Sequence, residues 1–407
     1  MKPLTYKFDN GLSLIFLPSP THVVYCGYTI GVGTRDENPD ERGMAHFIEH
    51  LSFKGTEKRK SWHILNRMEL VGGDLNAFTT KEETVYYTSC LDRDFERAVE
   101  LLTDIVFHST FPQQEIDKEV DVILDEIESY EDSPSDLIFD EFEELIYKGD
   151  ALGNKILGDP KQLKSFKTAD AIRFAERYYN PENATFFVYG NYKWEKVVAI
   201  VDKYASKKVS RSNSKLVHKP LPLYLPSKVE IEKDTHQAHV LMGTRGLGAQ
   251  DPDRLGLYLI NNIIGGPGMN SRLNVSLREH SGLVYNVESD VVSYTDTGFF
   301  GIYFGCDQKN IDKCYSLCVK ELKKMSDNPL GENSLKAAKK QLIGQLGVST
   351  DRFENVALGM GKNFLHYGKY ETLEQLNEKI EALQADRLQE IAHRIFDTDN
   401  LTTLIYR

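Results

Sequence analysis

Two histidines and a glutamate within five residues form the pattern in this chain best suited to metal chemistry. His46, Glu49 and His50 read H-x-x-E-H within residues 43–51. Residues four apart on a helix are offset by about 40° around its axis, so both imidazoles can reach one ion from one face. This order is the reverse of the H-E-x-x-H signature, and both orders occur in metallopeptidases. The pattern predicts a hydrolytic zinc site in which Glu49 is free to move protons.

The neighbouring residues predict the helix that would position these side chains. A solvated, acidic start at 40–43 precedes apolar residues at helical spacing, namely Met44, Phe47, Ile48 and Leu51. Two imidazoles and a carboxylate that are half buried together need a partner, and a metal ion is a suitable one. Taken alone, the five-residue pattern could also be an ordinary polar helix surface.

A catalytic zinc ion usually has three protein ligands and a water, so a third ligand is needed. The acidic segment 118–128 has a strongly helical pattern. Within it Glu119 and Glu126 are two helical turns apart, on nearly the same face. We interpret the other acidic residues of the segment as a solvated helix face.

These residues resemble the pitrilysin or insulinase family of zinc peptidases, the inverzincins, and within it the short-chain branch that includes the mitochondrial processing peptidase. In that family a glutamate ligand follows the motif by some seventy residues, and here Glu126 follows His50 by 76. The resemblance implies one Zn²⁺ per chain, held by His46, His50 and Glu126. It further implies that Glu49 is the catalytic base, and that Glu119 supports a ligand histidine from outside the coordination shell.

Residues 72–80 resemble the family's active-site edge strand, whose backbone pairs with the substrate as an added β-strand. The resemblance implies that Asn76, Ala77 and Phe78 bind the substrate. Without the upstream motif, this glycine-containing stretch would more readily be interpreted as a hairpin turn.

Arg278 and Tyr285, seven residues apart, match the family's arginine and tyrosine pair, which contacts substrate carbonyls near the scissile bond. A guanidinium and a phenol are suitable donors to a developing oxyanion, so the resemblance implies a catalytic role for both. In isolation they would be an ordinary surface arginine and a half-buried strand tyrosine.

The order of predicted elements indicates an α+β chain built from two similar α/β-sandwich domains, each with a mixed, mainly antiparallel sheet packed against helices. We expect a zinc-binding catalytic domain at 1–206, a polar, proline-punctuated linker at 207–226 and a second domain at 227–407. We predict a β-hairpin near the start of the chain, because its Asn10-Gly11 pair suits a type I′ turn.

The second domain is expected to be a degenerate repeat that carries the Arg278 and Tyr285 pair but no metal ligands. The sequence 243–245 echoes the Gly-Thr-Arg at 33–35, although that echo could be accidental. When Gly43 is aligned with Gly256, the residues opposite His46, Glu49 and His50 are Leu259, Asn262 and Ile263. These three residues cannot reproduce the zinc motif.

Composition favours a soluble enzyme of two domains. The chain has 407 residues, 41% of them hydrophobic, and a formal net charge of −12, which argues against nucleic acid or an anionic membrane as a partner. We find no apolar run long enough to span a membrane and no signal-peptide core. The expected location is cytoplasmic, or periplasmic or organellar if a leader has been removed.

The residues and the resemblance together predict a zinc-dependent endopeptidase that hydrolyses short or unfolded peptides. Short-chain relatives assemble their chamber from two subunits, so we expect a homodimer in which one subunit's zinc faces the other's Arg278 and Tyr285. A heterodimer with a related subunit is also possible. The alternative is a non-catalytic family member that serves as a structural or peptide-binding partner in a heteromeric processing complex.

Overall fold

A computed structural model describes residues 2–207, 218–233 and 235–407. Its strands are β1 Leu4–Lys7, β2 Ser13–Pro18, β3 Val23–Ile30, β4 Asp74–Thr79, β5 Thr84–Leu91, β6 Ala184–Gly190, β7 Lys228–Ile231, β8 Ala238–Gly246, β9 Val284–Ser293, β10 Gly298–Cys306 and β11 Thr402–Tyr406. Its helices are α1 Met44–Leu51, α2 Ser61–Glu69, α3 Phe95–Phe107, α4 Gln113–Glu131, α5 Pro134–Ile146, α6 Pro160–Leu163, α7 Thr168–Tyr178, α8 Trp194–Ala205, α9 Arg254–Gly265, α10 Ile311–Asp327, α11 Glu332–Ser349, α12 Phe353–Tyr367, α13 Leu373–Ala382 and α14 Ala385–Ile395.

The first compact unit comprises residues 1–128, 154–220 and 349–372 and contains a six-stranded sheet in the order β1-β2-β6-β3-β5-β4. Only the β2 and β6 pair is parallel. Alternate residues of each strand point to opposite faces. One face, including Tyr28 and Phe186, packs with helices such as α1, α3 and α7, whereas the other, including Phe187, packs with α12.

The second compact unit comprises residues 129–153, 221–348 and 373–407 and contains a five-stranded sheet in the order β7-β11-β8-β10-β9. This order matches the order β2-β6-β3-β5-β4 in the first sheet, so that β7 corresponds to β2, β11 to β6 and β8 to β3. The β7 and β11 pair is parallel, and so is the corresponding β2 and β6 pair. One face packs with α9, α10 and α14, and the other packs with α5. The predicted α+β fold with two similar sandwiches is therefore confirmed.

In each unit, one helix that packs on the sheet comes from the other half of the sequence: α12 in the first unit and α5 in the second. Ile138 and Phe142 of α5 are buried with Leu241 and Phe299 of the second sheet. Ala357 and Met360 of α12 belong to a buried cluster on the first sheet. The compact units therefore differ from the domains 1–206 and 227–407 in these two segments. The boundary at 207–226 stays a prediction, since residues 208–217 lie outside the described part of the chain.

Two local predictions differ from the structure. In the first hairpin Lys7 pairs with Ser13 and only Gly11 of the connection has positive φ, which excludes a type I′ turn because Asn10 would also need positive φ. The two Gly-Thr-Arg sequences are not equivalent either, because residues 33–35 follow β3 and enter a short 3₁₀ turn whereas residues 243–245 lie inside β8. The repeat is thus a property of strand order rather than of this tripeptide.

In the described residues, no helix has the length and apolar character needed to cross a membrane.

Candidate metal centre

The N-terminus of α1 is held in place by backbone contacts and by a buried carboxylate. Gly43 precedes the helix with φ of 94°, and a Cβ at this position would lie 2.8 Å from the Cα of Gly158. Glu37 accepts hydrogen bonds from the amides of Gly43, at 3.0 Å, and Ala45, at 2.8 Å. These bonds satisfy amides that lack partners within the helix. The helix that carries the zinc motif is therefore anchored at its first turn.

The structure brings His46 and His50 of α1 together with Glu126 of α4. Oε2 of Glu126 lies 3.9 Å from Nε2 of His46 and 3.7 Å from Nε2 of His50, and one ligand atom from each of the three residues lies within 4.8 Å of the others. Zinc bonds of about 2.0–2.2 Å in a tetrahedron separate neighbouring ligand atoms by about 3.4 Å, close to these distances. Three acceptors around one point fit a cation with an open fourth position.

Glu119 contacts one of the two imidazoles of this cluster. Its Oε1 is 2.9 Å from Nδ1 of His50, and its Oε2 accepts a hydrogen bond from Nζ of Lys54 at 2.6 Å. Burial alone would raise the pKa of Glu119, but the hydrogen bonds from His50 and Lys54 lower it. The charged carboxylate favours the tautomer of His50 with its proton on Nδ1, which leaves Nε2 free for a metal.

His46 is held by burial instead. Its Nδ1 is buried and has no hydrogen-bond partner among the described residues. Burial and the neighbouring His50 lower the pKa of His46 to about 3. The imidazole is therefore neutral at physiological pH, which is the form that binds a metal.

Glu49 lies between the two histidines in sequence but is not part of the three-residue cluster. It is 8% exposed, and its Oε2 accepts a hydrogen bond from Oγ1 of Thr79 at 2.6 Å. Burial raises the pKa of Glu49, and the Thr79 hydrogen bond works in the opposite direction. A carboxylate with a raised pKa beside a metal-binding cluster suits proton transfer to and from a reacting group.

Thr79 is the last residue of β4, which lies at one edge of the first sheet and pairs only with β5. The predicted substrate-binding residues Asn76, Ala77 and Phe78 belong to this strand. An edge strand has backbone amides and carbonyls free along one side, which can pair with an extended peptide. Strand β4, whose free edge offers these backbone groups, thus ends at Thr79, the residue that donates a hydrogen bond to Glu49.

The structure places Arg278 and Tyr285 on the surface of the second unit. Arg278 is exposed in a π-helical segment, Asn274–Glu279, and Tyr285 is the second residue of β9 with 71% of its surface exposed. Both side chains are accessible to a ligand. Their role towards a reacting carbonyl stays a prediction.

Sequence reasoning missed three residues that support this site. Lys54 follows His50 by four residues, so helical spacing could have signalled its approach to Glu119. Thr79 lay inside the predicted edge strand, but nothing in its type pointed to Glu49. Glu37 had no local signal, because its partners depend on how the chain turns into α1.

Comparison with known proteins shows which proteins this chain is similar to. Residues 16–160 match the model of the insulinase family, peptidase family M16, and residues 165–342 match the model of the peptidase M16 inactive domain. An uncharacterised zinc protease of Bacillus subtilis is 32% identical over 98% of this chain and 97% of its own length. The mitochondrial-processing peptidase subunit beta of Bos taurus is 29% identical over 96% of this chain and 81% of its own.

Solved structures agree with the fold. A protease from Helicobacter pylori has a TM-score of 0.90 at 20% identity and covers 100% of this chain, with 99% of its own chain matched. A peptidase M16 inactive domain from Pseudomonas fluorescens has a TM-score of 0.92 at 18% identity, with 100% and 98% of the two chains covered. Full-length similarity to zinc proteases, added to the matches of both family models, shows that this chain belongs to peptidase family M16, the insulinase family.

Proposed function

We propose that this protein is a zinc-dependent endopeptidase that binds one Zn²⁺ per chain through His46, His50 and Glu126. The observation that carries the proposal is the convergence of these three side chains next to the buried, unliganded carboxylate of Glu49. When bound, Zn²⁺ supplies Lewis-acid polarisation and lowers the pKa of a water towards about 7.

The chain's own residues move the protons. Glu49 takes a proton from the attacking water and delivers it to the leaving amine, a role its raised pKa suits. Thr79 keeps the carboxylate in position through its hydrogen bond. Glu119 keeps His50 in its metal-binding orientation, and Lys54 keeps Glu119 charged.

The proposed substrate is an unfolded or short peptide bound in extended form along β4. Main-chain hydrogen bonds to the free edge of this strand align the peptide, while side-chain choice is left to neighbouring pockets. A folded substrate does not present an extended backbone to such an edge. Unfolded or short peptides should therefore be cleaved in preference to folded proteins.

We further propose a homodimer in which Arg278 and Tyr285 of one subunit serve the zinc site of the other. Both side chains are exposed and can donate hydrogen bonds to an oxyanion. A preparation that mixes Glu49→Gln subunits with Tyr285→Phe subunits should recover part of the activity that each parent lacks, because one of the two mixed sites is intact. Mixed dimers with no more activity than either parent would contradict assembly in trans.

The enzyme proposal is tested by zinc content and by cleavage of an unstructured peptide, with and without chelator. We expect cleavage that chelator abolishes and zinc restores. Glu49→Gln should retain zinc but lose about 10²- to 10⁴-fold in rate, the usual contribution of general acid and base catalysis. Peptide binding without cleavage, whether or not metal is present, would overturn the enzyme proposal and favour a non-catalytic partner role.

A further inference from the structure

The turn between β4 and β5 contains three consecutive charged residues, and all three are buried. Lys81, Glu82 and Glu83 are 3%, 6% and 1% exposed. Charged side chains are rarely buried unless each has a partner. Nζ of Lys81 donates a hydrogen bond to the carbonyl oxygen of Asn154 at 2.6 Å. Oε1 of Glu82 accepts one from Nη1 of Arg35 at 2.6 Å, and Glu83 accepts two from side chains of α12. The turn is thus attached to three other segments of the first unit.

The buried pair of Arg35 and Glu82 attaches this turn to the segment that leads from β3 to α1. The two side chains are 2% and 5% exposed. Main-chain hydrogen bonds join the same two segments. The amide of Thr34 donates to the carbonyl of Thr80 at 3.2 Å, and the amide of Arg35 donates to the carbonyl of Lys81 at 2.8 Å. Side chains and backbone therefore hold the turn against this segment together.

The same segment also holds the start of α1. Glu37, two residues after Arg35, accepts the hydrogen bonds from the amides at the start of this helix. Thr79 directly precedes the turn and donates its hydrogen bond to Glu49 of α1. Residues 35–37 thus contact both the end of the edge strand β4 and the start of the helix that carries the zinc motif.

We propose that Arg35 and Glu82 are positioning residues, which hold the end of β4 at a fixed distance from Glu49. Their role rests on the proposed function, in which the substrate lies along β4 and Glu49 transfers protons. A buried ion pair adds little stability over an apolar pair of similar volume, whereas its charged hydrogen bonds have a narrow geometry. The planar guanidinium of Arg35 restricts the position of the turn more than a flexible ammonium would. A shift of about 1 Å between a peptide and a catalytic group can lower a rate by about 100-fold.

Glu82→Gln tests the proposal, because it removes the charge with little change in shape. We expect kcat for an unstructured peptide to fall about 10- to 100-fold while KM stays within about twofold of the wild-type value. Zinc content should stay at the wild-type level, because Glu37 still holds α1. Amide hydrogen exchange of residues 79–84 should be faster than in the wild type, a readout that does not require activity.

Asp253→Asn is the control for the loss of a buried ion pair. Asp253 is 7% exposed and pairs with Arg387 in the second unit at 2.7 Å. This variant should have lower thermal stability but an unchanged kcat. Arg35→Lys is a second test that keeps the positive charge. It should also lower kcat at an unchanged KM, by less than Glu82→Gln does, because an ammonium lacks the planar geometry of a guanidinium.

A double-mutant cycle separates positioning from a general loss of structure. Thr79→Val removes the hydrogen bond to Glu49, so Glu82→Gln added to it should cause little further loss of kcat if both act through the same contact. Losses that multiply, unchanged hydrogen exchange, a change in KM in place of kcat, or an unchanged kcat in Glu82→Gln or Arg35→Lys would overturn this positioning role and leave the proposed peptidase activity standing. Absence of cleavage by the zinc-loaded wild type would instead refute the proposed function, and the positioning role with it.

Discussion

An ion cluster around a buried carboxylate attaches α12 to the first sheet and gives a quantitative prediction of pH-dependent stability. Glu83 is 1% exposed and accepts hydrogen bonds from Nζ of Lys362, at 2.6 Å, and from Nε2 of His366, at 2.9 Å. Burial alone would raise the pKa of Glu83, but His366 and Lys362 outweigh it and lower the pKa from 4.5 to about 2. The carboxylate of Glu83 thus connects the turn between β4 and β5 to α12, a helix from the other half of the sequence.

The magnitude follows from this pKa difference. A lowering from 4.5 to about 2 corresponds to about 3 kcal/mol of extra stability when the carboxylate is charged. Because the folded-state pKa is depressed, this contribution is fully present above pH 4.5 and is lost as the pH falls towards 2. At pH 3 about 1 kcal/mol should remain.

Glu83→Gln removes the charge with little change in shape, so α12 should open more easily from the sheet. We expect amide hydrogen exchange of residues 353–367 to be about 100-fold faster than in the wild type at pH 7, and the gap to shrink to several-fold at pH 3. Glu69→Gln, at an exposed glutamate of the same unit, serves as the control and should leave exchange unchanged. A gap of the same size at both pH values would refute the electrostatic reasoning, and no gap would refute the role of Glu83.

Three further predictions concern the metal centre. Glu119→Gln should weaken zinc affinity about 10- to 100-fold in a competition titration with a chromophoric chelator, because the orientation of His50 is no longer enforced by a charge. Thr79→Val should lower the rate of peptide cleavage while zinc content stays at the wild-type level, since only the hydrogen bond to Glu49 is lost; a matching loss of zinc would contradict this. Gly43→Ala should lower both thermal stability and zinc content, because a Cβ is strained at φ of 94° and lies too close to Gly158.

Local sequence features were sufficient to predict the helix of the zinc motif and the two glutamates on one face of α4. Both predictions depend on helical periodicity, which is a property of residues close in sequence. The first hairpin shows where local reasoning fails. Asn10-Gly11 favours a two-residue turn in isolation, whereas the register of β1 and β2 places a longer connection there, with positive φ at Gly11 alone.

The similarity between the two sheets illustrates a different limit. The Gly-Thr-Arg echo suggested a repeat, but its two copies occupy different positions relative to the strands. The repeat is visible in strand order and in the matching parallel pairs, which are non-local and cannot be read from a short motif.

The sequence by itself predicted the kind of chemistry, because the types and helical spacing of His46, Glu49 and His50 suit a metal ion and a free carboxylate. Only the tertiary structure showed how these distant residues come together. Glu119 and Glu126 meet the histidines through the packing of α4 near α1, and Thr79 meets Glu49 where the edge strand ends. It also decided that α5 and α12 cover sheets from the opposite halves of the chain. Such contacts depend on the burial of apolar helix and sheet faces that are far apart in sequence, and a local sequence pattern does not specify which helix will pack on which sheet.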